Sequence, residues 1–152
     1  MMLTPPVEIC RTVRASIDIN SPIIYVFTSG TTGLPKPAPV SQMKILMCTS
    51  FLATINFGPD DIVYLVLPLY HTTGLAALLS TFRKGATAVL KTKFSAHSFF
   101  DDCRRHNVTV IQYIGELCRY LLALPERSND KQHKIRAAMG NGLRKDIWEQ
   151  FQ

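Results

Sequence analysis

Short β-branched runs and helix-spaced apolar runs take turns along this 152-residue chain, and that alternation restricts the folds open to it more than any other feature. The runs IIYVFT (23–28), DIVYLVL (61–67), ATAVLK (86–91), VTVIQYI (108–114) and KIRAAM (134–139) have the length and composition of buried strands. A helical pattern follows each. In VSQMKILMCTSFLATIN (40–56), Met43, Leu46, Met47 and Phe51 recur at helical spacing, and the single charge at Lys44 predicts a mostly buried helix. TTGLAALLSTF (72–82) reads as a second helix. Ser95 is placed to cap a third that runs to about His106. Leu117, Tyr120, Leu121 and Leu124 share one face of a fourth, stopped by Pro125, and Leu143, Ile147, Trp148 and Phe151 share one face of a fifth. Strand then helix, repeated along the chain, predicts an α/β fold: a mostly parallel sheet with helices on both faces.

Composition narrows the function classes. Hydrophobic residues make up 47% and charged residues 18%, which excludes a disordered chain. The formal charge of +6 fits an anionic partner such as a nucleotide, coenzyme A or an acidic membrane face, and equally a merely basic surface. Aromatic residues do not interleave with basic clusters, which argues against nucleic acid. Cys10, Cys48, Cys103 and Cys118 form no CxxC pair and have no histidine at ligand spacing, so neither a zinc site nor a disulfide framework is expected, and no metal-ligating set is assigned. The N-terminus lacks the apolar core of a signal peptide. The stretch IVYLVLPLYHTTGLAALLSTF (62–82) is free of formal charge and long enough to span a bilayer, but Pro68, His71 and Gly74 break it. A buried strand, a turn and a helix explain it better.

The polar exception is TSGTTGLPK, residues 28–36, with four hydroxyl residues, two glycines and a lysine after an apolar run. A loop at the carboxyl end of a parallel strand is where α/β proteins bind ligands. Gly30 and Gly33 permit close backbone approach, successive amides can form an anion nest, and Lys36 supplies a mobile positive charge suited to phosphate. Pro35 and Pro37 stiffen the exit and separate this loop from the GxxxxGK[ST] pattern. The residues alone leave two readings open: a polyphosphate loop of another kind, or a surface turn.

The segment YVFTSGTTGLPKPA resembles the phosphate-binding signature of the acyl-adenylate-forming enzymes. LPLYHTTG, GATAVLKTKFSAHSFFDDCRRHNVTVIQYIGELCRYL and HKIRAAMGNGLRKDIWEQF resemble the very-long-chain acyl-CoA synthetase / fatty acid transport protein family, over nearly the whole chain from Ser21. The resemblance implies a fatty acid–CoA ligase that uses ATP, magnesium and CoA and contributes to fatty acid uptake. It implies that Thr28, Ser29, Gly30, Thr31, Thr32, Gly33, Leu34, Pro35 and Lys36 hold the ATP phosphates. It implies that His71 lies by the acyl pocket or gates it, and that Gly140, Asn141 and Gly142 lie along the adenine and acyl group. Tyr113, Gly115 and Glu116 would wall the pocket. On the bland side, His71 is a structural histidine, GNGLR (140–144) a plain strand-to-helix turn, and Glu116 a first-turn acid that complements a helix dipole.

Gln42 departs from the family, where a histidine is common at the matching position. Residues 1–20 read as a leader and residues 21–152 as a partial AMP-binding domain. The family's YGxTE-type segment, its ribose aspartate and its C-terminal domain with the adenylation lysine have no counterpart in these residues. The expectation is half a nucleotide site, inactive alone, or else a non-catalytic fragment that binds nucleotide or pairs with full-length relatives. The family also implies an endoplasmic reticulum or plasma membrane location, although no segment here reads as an anchor.

Overall fold

The computed structural model describes residues 8–28, 33–50 and 55–151. The chain divides into two compact units, Met1–Leu46 and Met47–Gln152.

In the first unit, a 3-10 turn at Arg11–Arg14 precedes β1 (Pro22–Thr28), which pairs antiparallel with β2 (Lys36–Ser41). Asp18 Oδ1 accepts the backbone N–H groups of Asn20 and Ser21 at 2.9 and 2.8 Å, a local turn that aims the chain into β1. The first expected strand is therefore real, but it is not part of the parallel sheet. It is one arm of a hairpin, and its partner is a strand that the proline-rich stretch KPAPVS had concealed. Pro37 and Pro39 stand two apart, so a strand carries both missing N–H donors on the same edge, and a two-stranded sheet has an open edge for them. Val26, Val40 and Ile45 are the buried apolar residues described in this unit, while Ile23, Tyr25 and Phe27 stand outward at 53, 59 and 63% exposure.

The helix α1 (Gln42–Ser50) lies differently from what its apolar pattern suggested. Ile45 and Thr49 are its buried positions, whereas Met43, Leu46 and Met47 are exposed. Its start is fixed by backbone bonds, Gln42 N–H to Ser21 O and Met43 N–H to Ile19 O, which extend β2 directly into the helix. Phe51 lies outside the described residues.

The second unit carries the expected α/β alternation: β3 (Ile62–Leu65), α2 (Thr72–Arg83), β4 (Thr87–Leu90), α3 (Ala96–Arg105), β5 (Val110–Ile114), α4 (Gly115–Leu122) and β6 (Ala137–Asn141). A 3-10 turn (Lys145–Ile147) and a short α5 (Trp148–Phe151) follow. All strand pairs are parallel, in the order β4-β3-β5-β6. The pleat sends alternate residues to opposite faces. On one face Tyr64 and Ile111 pack with Phe99 and Cys103 of α3 and Leu117 and Leu121 of α4. On the other, Val63, Leu65 and Val110 pack with Ala77 of α2 and with Phe57. Helices thus cover both faces, and burying a side chain such as Phe99 or Leu117 contributes about 1.5–3 kcal/mol. On α4 the buried residue beside Leu117 and Leu121 is Cys118, with Tyr120 outside.

Two carboxylates lock this sheet. Asp102, on α3, accepts from Tyr64 Oη at 2.8 Å, Lys91 Nζ at 2.6 Å and Ser98 Oγ at 3.1 Å. Asp61, just before β3, accepts from Thr109 Oγ1 at 2.7 Å, from Gly58 N–H at 2.9 Å, and from Arg136 at 3.0 Å (Nε) and 2.6 Å (Nη2). Arg136 also donates to the carbonyls of Ile55 and Asn56. Burial pushes the Asp61 carboxyl up, but the bonds from Arg136, Thr109 and Gly58 outweigh it and hold the group at about 2, against an ordinary 3.8. A depressed carboxyl stabilises the fold above its unfolded value, and that share is lost as pH falls from about 4 to about 2. Chemical unfolding followed by circular dichroism should show about 2 kcal/mol disappearing across that window. Asp61→Asn should flatten that part of the pH profile and lower stability at neutral pH.

Candidate functional site

The chain leaves β3 to form β4 on one side and returns to form β5 on the other, so the carboxyl ends of β3 and β5 flank a topological switch point. A cavity of about 400 Å³ lies on the α2 side of this sheet, within the second unit. Helix α2 lines it with Thr72, Thr73, Ala76, Ala77 and Ser80, the strands with Gln112, Met139, Gly140 and Asn141, and the later half of α1 with Met47 and Cys48. The wall is mostly apolar. Helix α2 can lie close to the sheet because its buried hydroxyls are spent internally: Ser80 Oγ donates to Ala76 O at 2.6 Å and Thr81 Oγ1 to Ala77 O at 2.7 Å.

Gln112 is the polar residue that strand alternation aims at this wall, on the same face as Val110. Its Nε2 donates to Thr73 O at 2.7 Å, which ties β5 to the first turn of α2. Its Oε1 is buried with no hydrogen-bond partner. Sequence reasoning passed over Gln112, although a glutamine inside VTVIQYI was a visible signal: a polar side chain in a buried strand needs a partner or a purpose.

The expected site residues are distributed unevenly. Gly140 and Asn141 line the cavity from the end of β6. Tyr113, Gly115 and Glu116 do not. The Tyr113 ring lies 6.2 Å from that of Phe151, and burial pushes its hydroxyl pKa up. Glu116 is exposed in the first turn of α4 and pairs with Arg119 at 2.7 Å, as a helix-terminal acid would. His71 is exposed, N-terminal to α2, with its ring 4.8 Å from that of Tyr70; its neighbours Thr72 and Thr73 face the cavity.

The glycines serve the fold first. A Cβ on Gly140 would stand 2.0 Å from Tyr113 O and 2.7 Å from its ring, and one on Gly115 would stand 1.8 Å from Gly142 O. On the side where a Cβ would project, Gly140 is packed by Tyr113. Gly142 holds φ at +72°, in the region glycine favours.

In the first unit, the residues expected to hold phosphate connect β1 to β2, so they form a hairpin connection rather than a loop between a parallel strand and a helix. Thr28 and Lys36 are register partners, and Thr28 Oγ1 donates to Lys36 O at 3.3 Å. Gly33, Leu34 and Pro35 lead into β2, with Leu34 exposed. Ser29, Gly30, Thr31 and Thr32 lie outside the described residues. Thr28 and Lys36 stay chemically suited to phosphate oxygens, but the stretch offers no carboxylate for magnesium. Among the described residues no group of three His, Cys, Asp or Glu could hold a metal ion. Nor is any described helix long and apolar enough to cross a membrane. The four cysteines are free, and burial pushes Cys103 up to about 12 and Cys118 up to about 11, which makes both poor nucleophiles.

Gly140→Ala should destabilise the chain by about 2–4 kcal/mol in denaturant unfolding, because backbone and ring must both give way. Gly142→Ala should cost only about 1 kcal/mol, since only its φ is unfavourable.

Comparison with known proteins places these features. Residues 5–152 match the family model described as AMP-binding enzyme. The chain is 51% identical to human long-chain fatty acid transport protein 5 over 141 residues, covering 92% of this chain and 20% of that protein. It is 52% identical to mouse long-chain fatty acid transport protein 6 over 134 residues, covering 88% of this chain and 22% of that one. The chain thus spans about a fifth of the length of these relatives. Among solved structures, ATP-bound MatB from Rhodopseudomonas palustris shares the fold at a TM-score of 0.77 and 24% identity, over 89% of this chain and 27% of that one. O-succinylbenzoate coenzyme A synthetase (MenE) from Bacillus subtilis, solved with AMP, is 28% identical at a TM-score of 0.68, over 82% of this chain and 26% of that one. The same enzyme has been solved with ATP and magnesium ion. With the parallel sheet, the apolar cavity and the Thr28–Lys36 stretch on the chain itself, these matches show that it belongs to the AMP-binding enzyme family.

Proposed function

We propose that the chain is part of a long- or very-long-chain fatty acid–CoA ligase, and that its cavity takes the acyl group while the stretch from Thr28 to Lys36 takes the phosphates of ATP. The observation that carries this reading is the largely apolar cavity between α2 and the β5–β6 strands, in a chain about half identical to long-chain fatty acid transport proteins. Apolar walls with a few fixed polar groups suit a hydrocarbon chain. The reaction has two displacements. A fatty carboxylate oxygen attacks the α-phosphorus of ATP, and pyrophosphate leaves. The CoA thiolate then attacks the acyl carbon, and AMP leaves. The Lys36 ammonium and the hydroxyls and amides of the connection would hold the leaving phosphates, which is electrostatic stabilisation of developing charge. Thr72 and Thr73, beside His71, would orient the acyl end. Magnesium has no fitting ligand set among the described residues, so no step is assigned to it. Residence at an intracellular membrane and a contribution to fatty acid uptake belong to the same proposal.

A second reading, a non-catalytic partner of full-length relatives, is favoured by one feature: the outward row of Ile23, Tyr25 and Phe27 on β1. Light scattering of the chain mixed with a full-length relative would test it, a stable mixed species being the supporting result.

Calorimetry of the purified chain with ATP and magnesium should detect binding that Lys36→Ala weakens by roughly tenfold, the loss of one charge-assisted contact. Thr31→Ala should weaken it less. Binding indifferent to both substitutions would overturn the assignment of the phosphates. The same chain should form no acyl-CoA from fatty acid, ATP and CoA, and any thioester formed by the pure chain would refute that expectation.

A further inference from the structure

We infer that the cavity beside Gln112 prefers acyl groups that carry a hydroxyl on the chain over plain hydrocarbon chains of equal length; this rests on the acyl reading of the cavity. Gln112 is only 5% exposed. The carbonyl of Thr73 can only accept, so the 2.7 Å contact fixes which end of the amide faces it: the nitrogen. The oxygen is left as a buried acceptor without a donor. Leaving such an acceptor unpaired is costly inside an apolar wall.

The surrounding wall does not relieve this. Met47, Ala76, Ala77 and Met139 are apolar, the Ser80 hydroxyl already donates to Ala76 O, and the polar groups of Thr72, Thr73 and Asn141 on the same wall make no bond to the Gln112 oxygen. An unsubstituted hydrocarbon chain filling the cavity would leave the Gln112 oxygen as it is. A chain hydroxyl near Gln112 would donate to it and exchange an unmet acceptor for a hydrogen bond inside an apolar wall, where such a bond is strongest. The asymmetry of the glutamine makes it a specificity-determining residue. Its nitrogen positions α2 against β5, and its oxygen reads the ligand.

The test is calorimetry of the purified chain with ricinoleate and with oleate, which differ by one chain hydroxyl. Ricinoleate should bind roughly five- to tenfold more tightly, the worth of one buried hydrogen bond. In Gln112→Leu and Gln112→Met that ratio should fall to within about twofold of unity. Circular dichroism reports whether each variant folds, and the wild-type ratio decides by itself if neither does. Equal affinity of the wild-type chain for the two acids overturns the inference and leaves the acyl reading standing. A preference that survives in both folded variants overturns the role of Gln112. Failure to bind either acid overturns the acyl reading and this inference together.

Discussion

The second unit depends on the carboxylate of Asp61. Parallel strands receive no help from a tight turn; each must be returned to the same end of the sheet by a long crossover, and something must hold those ends in register. Asp61 does so where β3 begins. It accepts from Thr109 at the approach to β5 and from Arg136 at the approach to β6, and Arg136 reaches on to Ile55 and Asn56. One buried anion therefore fixes the amino ends of three strands. The carboxyl ends follow, because a strand is stiff and the register is continuous from Val110↔Ala137 to Ile114↔Asn141. The cavity sits where it does because the opposite end of the sheet is pinned.

Within that frame β5 is the element on which most turns. Its residues alternate strictly. Val110 and Gln112 face α2, while Ile111 faces α3 and α4 and Tyr113 packs toward the same cluster. One face of the strand builds the core and the other contributes both core and cavity wall. Shifting the strand by a single residue would exchange Gln112 for an apolar neighbour and bury Tyr113 against α2. The bond from Thr109 Oγ1 to Asp61 at its amino end opposes that slip, together with the alternation itself.

Much of this was legible in the residues. The four strands of the parallel sheet and helices α2, α3 and α4 announced themselves by period and length, and they appear within a few residues of their expected bounds because tertiary packing agrees with local preference there. The first unit was misread for a physical reason. IIYVFT has the composition of a strand buried on both faces, and composition cannot say whether its neighbour runs parallel or antiparallel. KPAPVS, with prolines two apart, looked like a rigid exit but is an edge strand. The same error moved the start of α1 and turned its assumed buried face outward. In the site, Gly140 and Asn141 close β6 and line the cavity, and on the side where a Cβ would project Gly140 is packed by Tyr113 and Gly115 by Gly142. Glu116 lies in the first turn of α4 and pairs with Arg119. Gln112 is easily passed over, because a lone polar residue does not disturb the strand pattern around it.

Where the chain breaks the ordinary rules is itself informative. The buried carboxylates of Asp61 and Asp102 are surrounded by donors, and Ser80 and Thr81 close their hydroxyls onto their own helix. Against this thorough satisfaction stand the unpaired buried oxygen of Gln112 and, among several exposed apolar groups of the described residues, the outward row on β1. A protein keeps such features when something other than folding selects them. The first lies on a cavity wall, the second on an open two-stranded sheet. Neither improves the stability of this chain, and Gln112 stands on the wall where the proposed acyl group would sit.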